Sequence, residues 1–78
     1  MTSDAMADVL SKAQVRRRMP SPEARRLLRT RSGLTQDDLA RALGVNRATV
    51  SRWEAGRNPR ATLAARYLEL MDRIAAVA

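Results

Sequence analysis

Apolar residues recur along most of this chain at intervals of three and four, the repeat that gathers side chains on one side of an α-helix. In the first segment they are Met6, Val9, Leu10 and Ala13, with Ser3 or Asp4 as a candidate N-cap and the cluster Arg16, Arg17, Arg18 at the end, before Pro20 stops the pattern. "SPEARRLLR" then opens a second helix: Ser21 is the N-cap, Pro22 takes the first helical position, Glu23 favours the first turn, and Ala24, Leu27 and Leu28 form the inner side up to Gly33. "TQDDLARALG" starts a third, with Thr35 and Asp38 spaced as a capping box and Leu39, Ala40 and Leu43 facing inward. Gly44 sits where the chain must turn, at an expected positive φ, and Asn46 caps a fourth helix anchored by Val50 and Trp53. The last runs from about Ala61 to Val77, with Leu63, Tyr67, Leu70, Met71 and Ile74 on one side. Strand signals are weak, and there is no internal repeat or low-complexity tract. An all-α chain follows.

The fourth segment, "GVNRATVSRWEAG", leaves Arg47, Ala48, Thr49 and Arg52 outside its apolar row. Composition narrows what they can face. Seventy-eight residues make one small domain, which hides roughly 60% of its surface on folding and has little room for a large catalytic cavity. The chain has no cysteine and no histidine, so disulfides, thiolate metal sites and the commonest general base are absent. No catalytic residue, metal ligand or cofactor is expected. Fifteen basic residues, fourteen of them arginine, stand against eight acids for a net charge of +7. That balance suits a polyanionic partner, either nucleic acid or an acidic membrane surface. No apolar run reaches membrane-spanning length, and the N-terminus lacks the pattern of a signal peptide, so a cytoplasmic protein is expected.

Two helices joined by "LGVN" satisfy the helix-turn-helix requirement for a short connection containing glycine. The apolar positions Leu39, Ala40, Leu43, Val45, Val50 and Trp53 tighten that reading, because small Ala40 lets the helices approach and Val45 fills the angle between them. With this spacing, "GLTQDDLARALGVNRATVSRWEAGRNP" resembles the lambda-repressor-like (XRE-type) helix-turn-helix family from end to end. The likeness covers Ser21 to roughly Met71. It implies a compact bundle of four helices, to which an N-terminal helix or arm is added here, and so a division into residues 1–20 and a DNA-binding domain of residues 21–78.

The resemblance makes Asn46 to Ala55 a recognition helix that enters the major groove of double-stranded DNA. Arg47 takes the family's base-reading position, with Ala48, Thr49 and Arg52 beside it, and Ser51 a phosphate or base contact. The chemistry fits: arginine can grip guanine O6 and N7, and Ala48 or the Thr49 methyl can meet a thymine methyl. Gln36 matches the phosphate-contacting glutamine at the start of the second motif helix, and Arg57, Asn58 and Arg60 lie in the loop the family lays along the backbone. Each has a plainer alternative: a solvated helix face for the arginines, a first-turn residue for Gln36, capping alone for Asn46, a solvated loop for residues 57–60. Trp53 falls on the inner row and reads as core. The family often pairs the glutamate of "WE" with an arginine of the first helix, which implies a Glu54–Arg29 pair.

The sequence departs from the family where a fifth short helix usually follows the fourth; here the last helix is longer. Leu63, Leu70 and Val77, spaced by seven with Tyr67 and Ile74 between, suit pairing with a second copy, pairing with residues 4–15, or packing within one monomer. The Arg16–Arg18 cluster reads as a solvated helix end, part of a packing helix, or an arm touching phosphate or the minor groove.

The function expected is therefore a sequence-specific, double-stranded DNA-binding transcriptional regulator, a homodimeric repressor of a phage, plasmid or small bacterial operon acting on a palindromic operator. It would be cytoplasmic, associated with the nucleoid when bound, with no membrane or small-molecule partner. The rival from another class is an antitoxin-like regulator that binds a protein through its N-terminal or C-terminal helix. A membrane-surface or RNA-binding protein would draw on net charge alone, since Trp53 and Tyr67 both read as internal and leave no exposed aromatic for base stacking.

Overall fold

The computed structural model of the chain describes residues 2–77, and among these the regular structure is entirely helical. The helices are α1 (Thr2–Arg18), α2 (Pro22–Arg31), α3 (Gln36–Leu43), α4 (Arg47–Glu54) and α5 (Ala61–Val77). Their boundaries follow local chemistry. Ser21 accepts a hydrogen bond from the Ala24 N–H, with Pro22 in the first turn. The capping box at α3 is complete: the Asp38 N–H donates to Thr35 Oγ1 at 3.0 Å, and the Thr35 N–H donates to Asp38 Oδ2 at 2.8 Å. Gly44 ends α3 at φ 71°, a left-handed conformation that costs other residues energy, and the chain turns there into the Asn46 cap of α4. α1 is already helical at Thr2, which puts Ser3 and Asp4 inside its first turn instead of at the cap.

The core is the one read from the apolar rows of α3, α4 and α5. Leu39, Ala40, Leu43, Val50, Trp53, Tyr67, Met71 and Ile74 form one buried cluster, with Leu28, Leu34, Val45, Leu63 and Leu70 packed around it. Trp53 and Tyr67 stand at its centre, their rings 4.9 Å apart and tilted by 40°, within the separation at which aromatic pairs attract. Ala64 and Leu68 complete the buried row of α5.

α2 departs from expectation. Ala24 is exposed and Leu27 is 52% exposed, so only Leu28 of the expected inner side reaches the core. The buried positions are Arg25 and Arg29, at 4% and 9% exposure. Two guanidinium groups can sit there because each donates to acceptors inside the molecule. Arg25 Nε donates to the Pro20 carbonyl at 2.9 Å, Nη1 donates to the Trp53 carbonyl at 3.0 Å, and the group lies 5.8 Å from the Tyr67 ring centroid, within cation–π range. Arg29 donates to the Leu34 carbonyl and to Glu54. Their long aliphatic stems supply the contact area that Ala24 and Leu27 do not.

α1 packs against α5. Near its end, Arg18 pairs with Asp72 at 2.6 Å, and Met19, just past the helix, packs on the core. Lys12, Val15 and Arg16 lie beside the start of α5, at Ala61 and Ala64. Met6, Val9 and Leu10 are each more than half exposed, and Ala13 is exposed as well. The first half of α1 thus projects from the body, and the molecule measures 44 × 24 × 20 Å. At the opposite end, Val77 is 86% exposed, whereas Leu63 and Leu70 are half-buried within the same chain, so the row spaced by seven is largely occupied by intramolecular packing.

Candidate nucleic-acid interface

The α3–turn–α4 unit is fixed by apolar and polar contacts on its inner side. Val50 and Trp53 are buried against α3 and α5, and the Val45 N–H donates to the Ala40 carbonyl across the turn at 3.0 Å. At the start of α4, Asn46 Oδ1 accepts from the Thr49 N–H at 2.9 Å and from the Thr49 hydroxyl at 2.8 Å. Capping therefore engages the Asn46 carbonyl oxygen, and the amide NH₂ carries no bond among the described residues. Thr49 is half-buried with its hydroxyl proton committed, which leaves its methyl as the group able to meet an apolar base edge.

The rest of the outer face is open. Arg47, Ala48, Ser51 and Arg52 are all exposed, and no carboxylate pairs with Arg47 or Arg52 among the described residues. Arg52 Nη2 lies 3.4 Å from the Thr49 hydroxyl, a long contact that does little to restrain it. Elsewhere three surface arginines have carboxylate partners, Arg41 with Asp37 and Asp38, Arg73 with Glu69 and Arg18 with Asp72, while exposed Arg16, Arg17, Arg26, Arg31 and Arg66 have none among the described residues. α4 and the loop that follows, where Arg57, Asn58 and Arg60 are exposed, carry four arginines, Arg47, Arg52, Arg57 and Arg60, with no carboxylate partner among the described residues.

Behind this face, the C-terminal end of α4 is tied down twice. Arg25 holds the Trp53 carbonyl, as described, and Glu54 accepts two bonds from Arg29, Nε to Oε2 at 2.6 Å and Nη2 to Oε1 at 2.9 Å. Gln36 Nε2 adds a third to Glu54 Oε1 at 3.1 Å. One amide proton of Gln36 is thus spent inside the molecule, while the side chain stays half-buried at the first position of α3. Burial alone would push the Glu54 carboxyl up, but the bonds from Arg29 and Gln36 and the Arg29 charge outweigh it and hold the group below the usual carboxylate range. The bond to Glu54 likewise raises Arg29, against its burial. This pair was legible in the "WE" resemblance; the role of Arg25 was missed. Its signal was spacing, since Arg25 lies one turn before Arg29 and shares its face.

The arrangement can present a row of guanidinium, methyl and hydroxyl groups along an exposed helix of about 12 Å, flanked by a cationic loop. A family model described as Helix-turn-helix matches residues 26–74, more than half of the chain. No curated protein and no solved structure matches it.

Proposed function

The chain belongs to the lambda-repressor-like helix-turn-helix family of DNA-binding transcriptional regulators, and on that premise we propose that it is a homodimeric repressor reading a palindromic operator through α4. The single observation that carries this reading is the division of α4: Val50 and Trp53 are buried while Arg47, Ala48, Ser51 and Arg52 stay free on the opposite face. Arg47 and Arg52 read base edges, Ala48 and the Thr49 methyl meet thymine methyls, and Gln36, Asn46, Ser51, Arg57, Asn58 and Arg60 hold phosphates and set register. Residues 21–78 act as the DNA-binding domain and residues 1–20 as an accessory segment. Repression follows from occlusion of polymerase by the bound dimer. Two copies related by a two-fold axis place their α4 helices in half-sites roughly 34 Å apart.

Selection of bound sequences from random duplexes tests this directly. An inverted repeat with about one helical turn between half-site centres is the expected outcome; an unstructured pool, or a lone half-site with a monomeric protein in solution, overturns it.

One observation favours a second reading. Met6, Val9 and Leu10 form an apolar row on the projecting half of α1. Such a row suits the groove of a partner protein, as an antitoxin-like regulator requires. Solution mass of the co-purified material separates the two.

A further inference from the structure

We infer that α1 gives this protein a second hold on DNA: Lys12 and Arg16, standing across a cleft from Asn58, grip backbone phosphates outside the base pairs read by α4. The inference rests on the reading of α4 as the recognition helix. Its two cationic residues, Lys12 and Arg16, lie outside the family-matched segment of 26–74.

The geometry begins with helix spacing. Lys12 and Arg16 are one turn apart and project from the same side of α1, whose Val15 and Met19 face the body of the molecule. Together with Asn58, Pro59, Ala61 and Ala64 they line an open cleft of about 310 Å³ between α1, the loop after α4 and the first turn of α5. Buried Arg25 lines the same cleft. Its Nε and Nη1 are engaged by backbone carbonyls, and Nη2 carries no hydrogen bond among the described residues. Among the described residues no carboxylate lines the cleft and neither Lys12 nor Arg16 forms an ion pair, although Asp8 lies one turn before Lys12. By contrast Arg18, at the other end of the α1–α5 contact, is neutralised by Asp72.

Position then identifies the anion. The cleft opens beside Asn58, and exposed Arg57 and Arg60 belong to the same loop, so Lys12 and Arg16 extend a cationic track from the end of α4 onto α1. A continuous track of this kind fits the regular line of phosphates along a duplex edge. The acids of α1, Asp4 and Asp8, sit on its projecting half, which confines the attractive part of the helix to the turns nearest the loop. The phosphates reached lie on the flank of the half-site, because α4 occupies the groove itself.

Binding of the wild-type chain and of Lys12→Ala/Arg16→Ala to the selected duplex tests the inference, with that duplex either trimmed to the half-sites or extended by roughly one helical turn on each side. Titrations over a range of salt concentrations give the log-log slope in each case. A charge-matched control, Arg17→Ala/Arg66→Ala, removes two exposed arginines that do not line the cleft. Alanine suits a helix, and unchanged helicity verifies that each variant folds.

The expected result is a wild-type affinity that rises on the extended duplex, and a cleft variant that loses this rise and has a slope shallower by about 1.8, two phosphates at ~0.9 each. The control keeps both. Equal slopes for wild type and cleft variant, or an equal loss in the control, overturns the α1 contact and leaves the role of α4 standing. If the wild-type chain selects no duplex at all, the reading of α4 falls first and this contact with it.

Discussion

Arg29 and Glu54 face each other in a two-pronged ion pair, at 2.6 and 2.9 Å, that joins α2 to the last residue of α4. Their side chains are 11% and 4% exposed, so neither charge has water to fall back on if the other is removed. Glu54→Ala is therefore expected to cost about 3 to 5 kcal/mol, the penalty for stranding a buried charge. Urea denaturation measures it, and an unchanged midpoint would refute the pairing as a source of stability. Arg29→Lys should also lose stability but less of it, because an ammonium keeps the charge opposite Glu54 and cannot make both bonds in parallel.

The same pair sets an acid limit. Glu54 is held below the usual carboxylate range in the folded chain, and so is Asp38, chiefly through the hydrogen bond it accepts from the Thr35 backbone N–H. For a depressed group, the stabilisation is complete above the unfolded value and disappears as pH falls through the folded one. The thermal midpoint should therefore drop as pH is lowered from about 5 towards 3, into and below the ordinary carboxylate range. Glu54→Gln should lower stability at neutral pH and flatten that acid limb; a limb of unaltered slope assigns it to other groups.

Tyr67 offers the opposite limb. Its ring is fully buried and its hydroxyl has no hydrogen-bond partner among the described residues, while burial pushes the phenol up to about 12. A raised value means the contribution is intact below the unfolded pKa of about 10 and is lost as pH rises through the folded one. Tyr67→Phe removes a desolvated polar group and keeps the ring against Trp53, so it should leave stability at neutral pH unchanged or higher and shift the onset of alkaline unfolding upward. A loss of more than about 1 kcal/mol in urea would reveal a partner for that hydroxyl.

On DNA, the exposed arginines should separate into two classes. Arg47→Ala and Arg52→Ala are each expected to cost about 1 to 3 kcal/mol on the selected operator and to relax the preference at one base pair. Arg57→Ala and Arg60→Ala should weaken operator and random duplex alike, each with a salt slope shallower by about 0.9. Competition titrations against both duplexes check this, and a uniform loss for all four substitutions would remove base reading from α4.

Most of the fold was legible because capping chemistry and helical spacing agree in the middle of the chain. Ser21, Thr35, Asn46 and Gly44 take the positions their side chains or backbone freedom favour, and the inner rows of α3, α4 and α5 are the apolar ones. On α2 hydrophobicity alone does not decide which face turns inward, and Ala24 and Leu27 lie outside. There the competing influence is hydrogen bonding: the Pro20 and Trp53 carbonyls and the Glu54 carboxylate need donors, and Arg25 and Arg29 supply them. α1 was hard to place for a different reason. Its apolar row, Met6, Val9, Leu10 and Ala13, has regular helical spacing, yet the residues that meet the body are Val15 and Met19, outside that row. Periodicity locates a stripe without saying what lies against it.

The arginines of this chain thus form two populations, Arg25 and Arg29 inside and the other twelve on the surface. A dicarbonyl reagent selective for guanidines should mark the second group quickly and the first only as the protein opens. The pace at which the last two sites are labelled would then record how often α2 lifts away from α4, a clock built into the chain that needs no added probe.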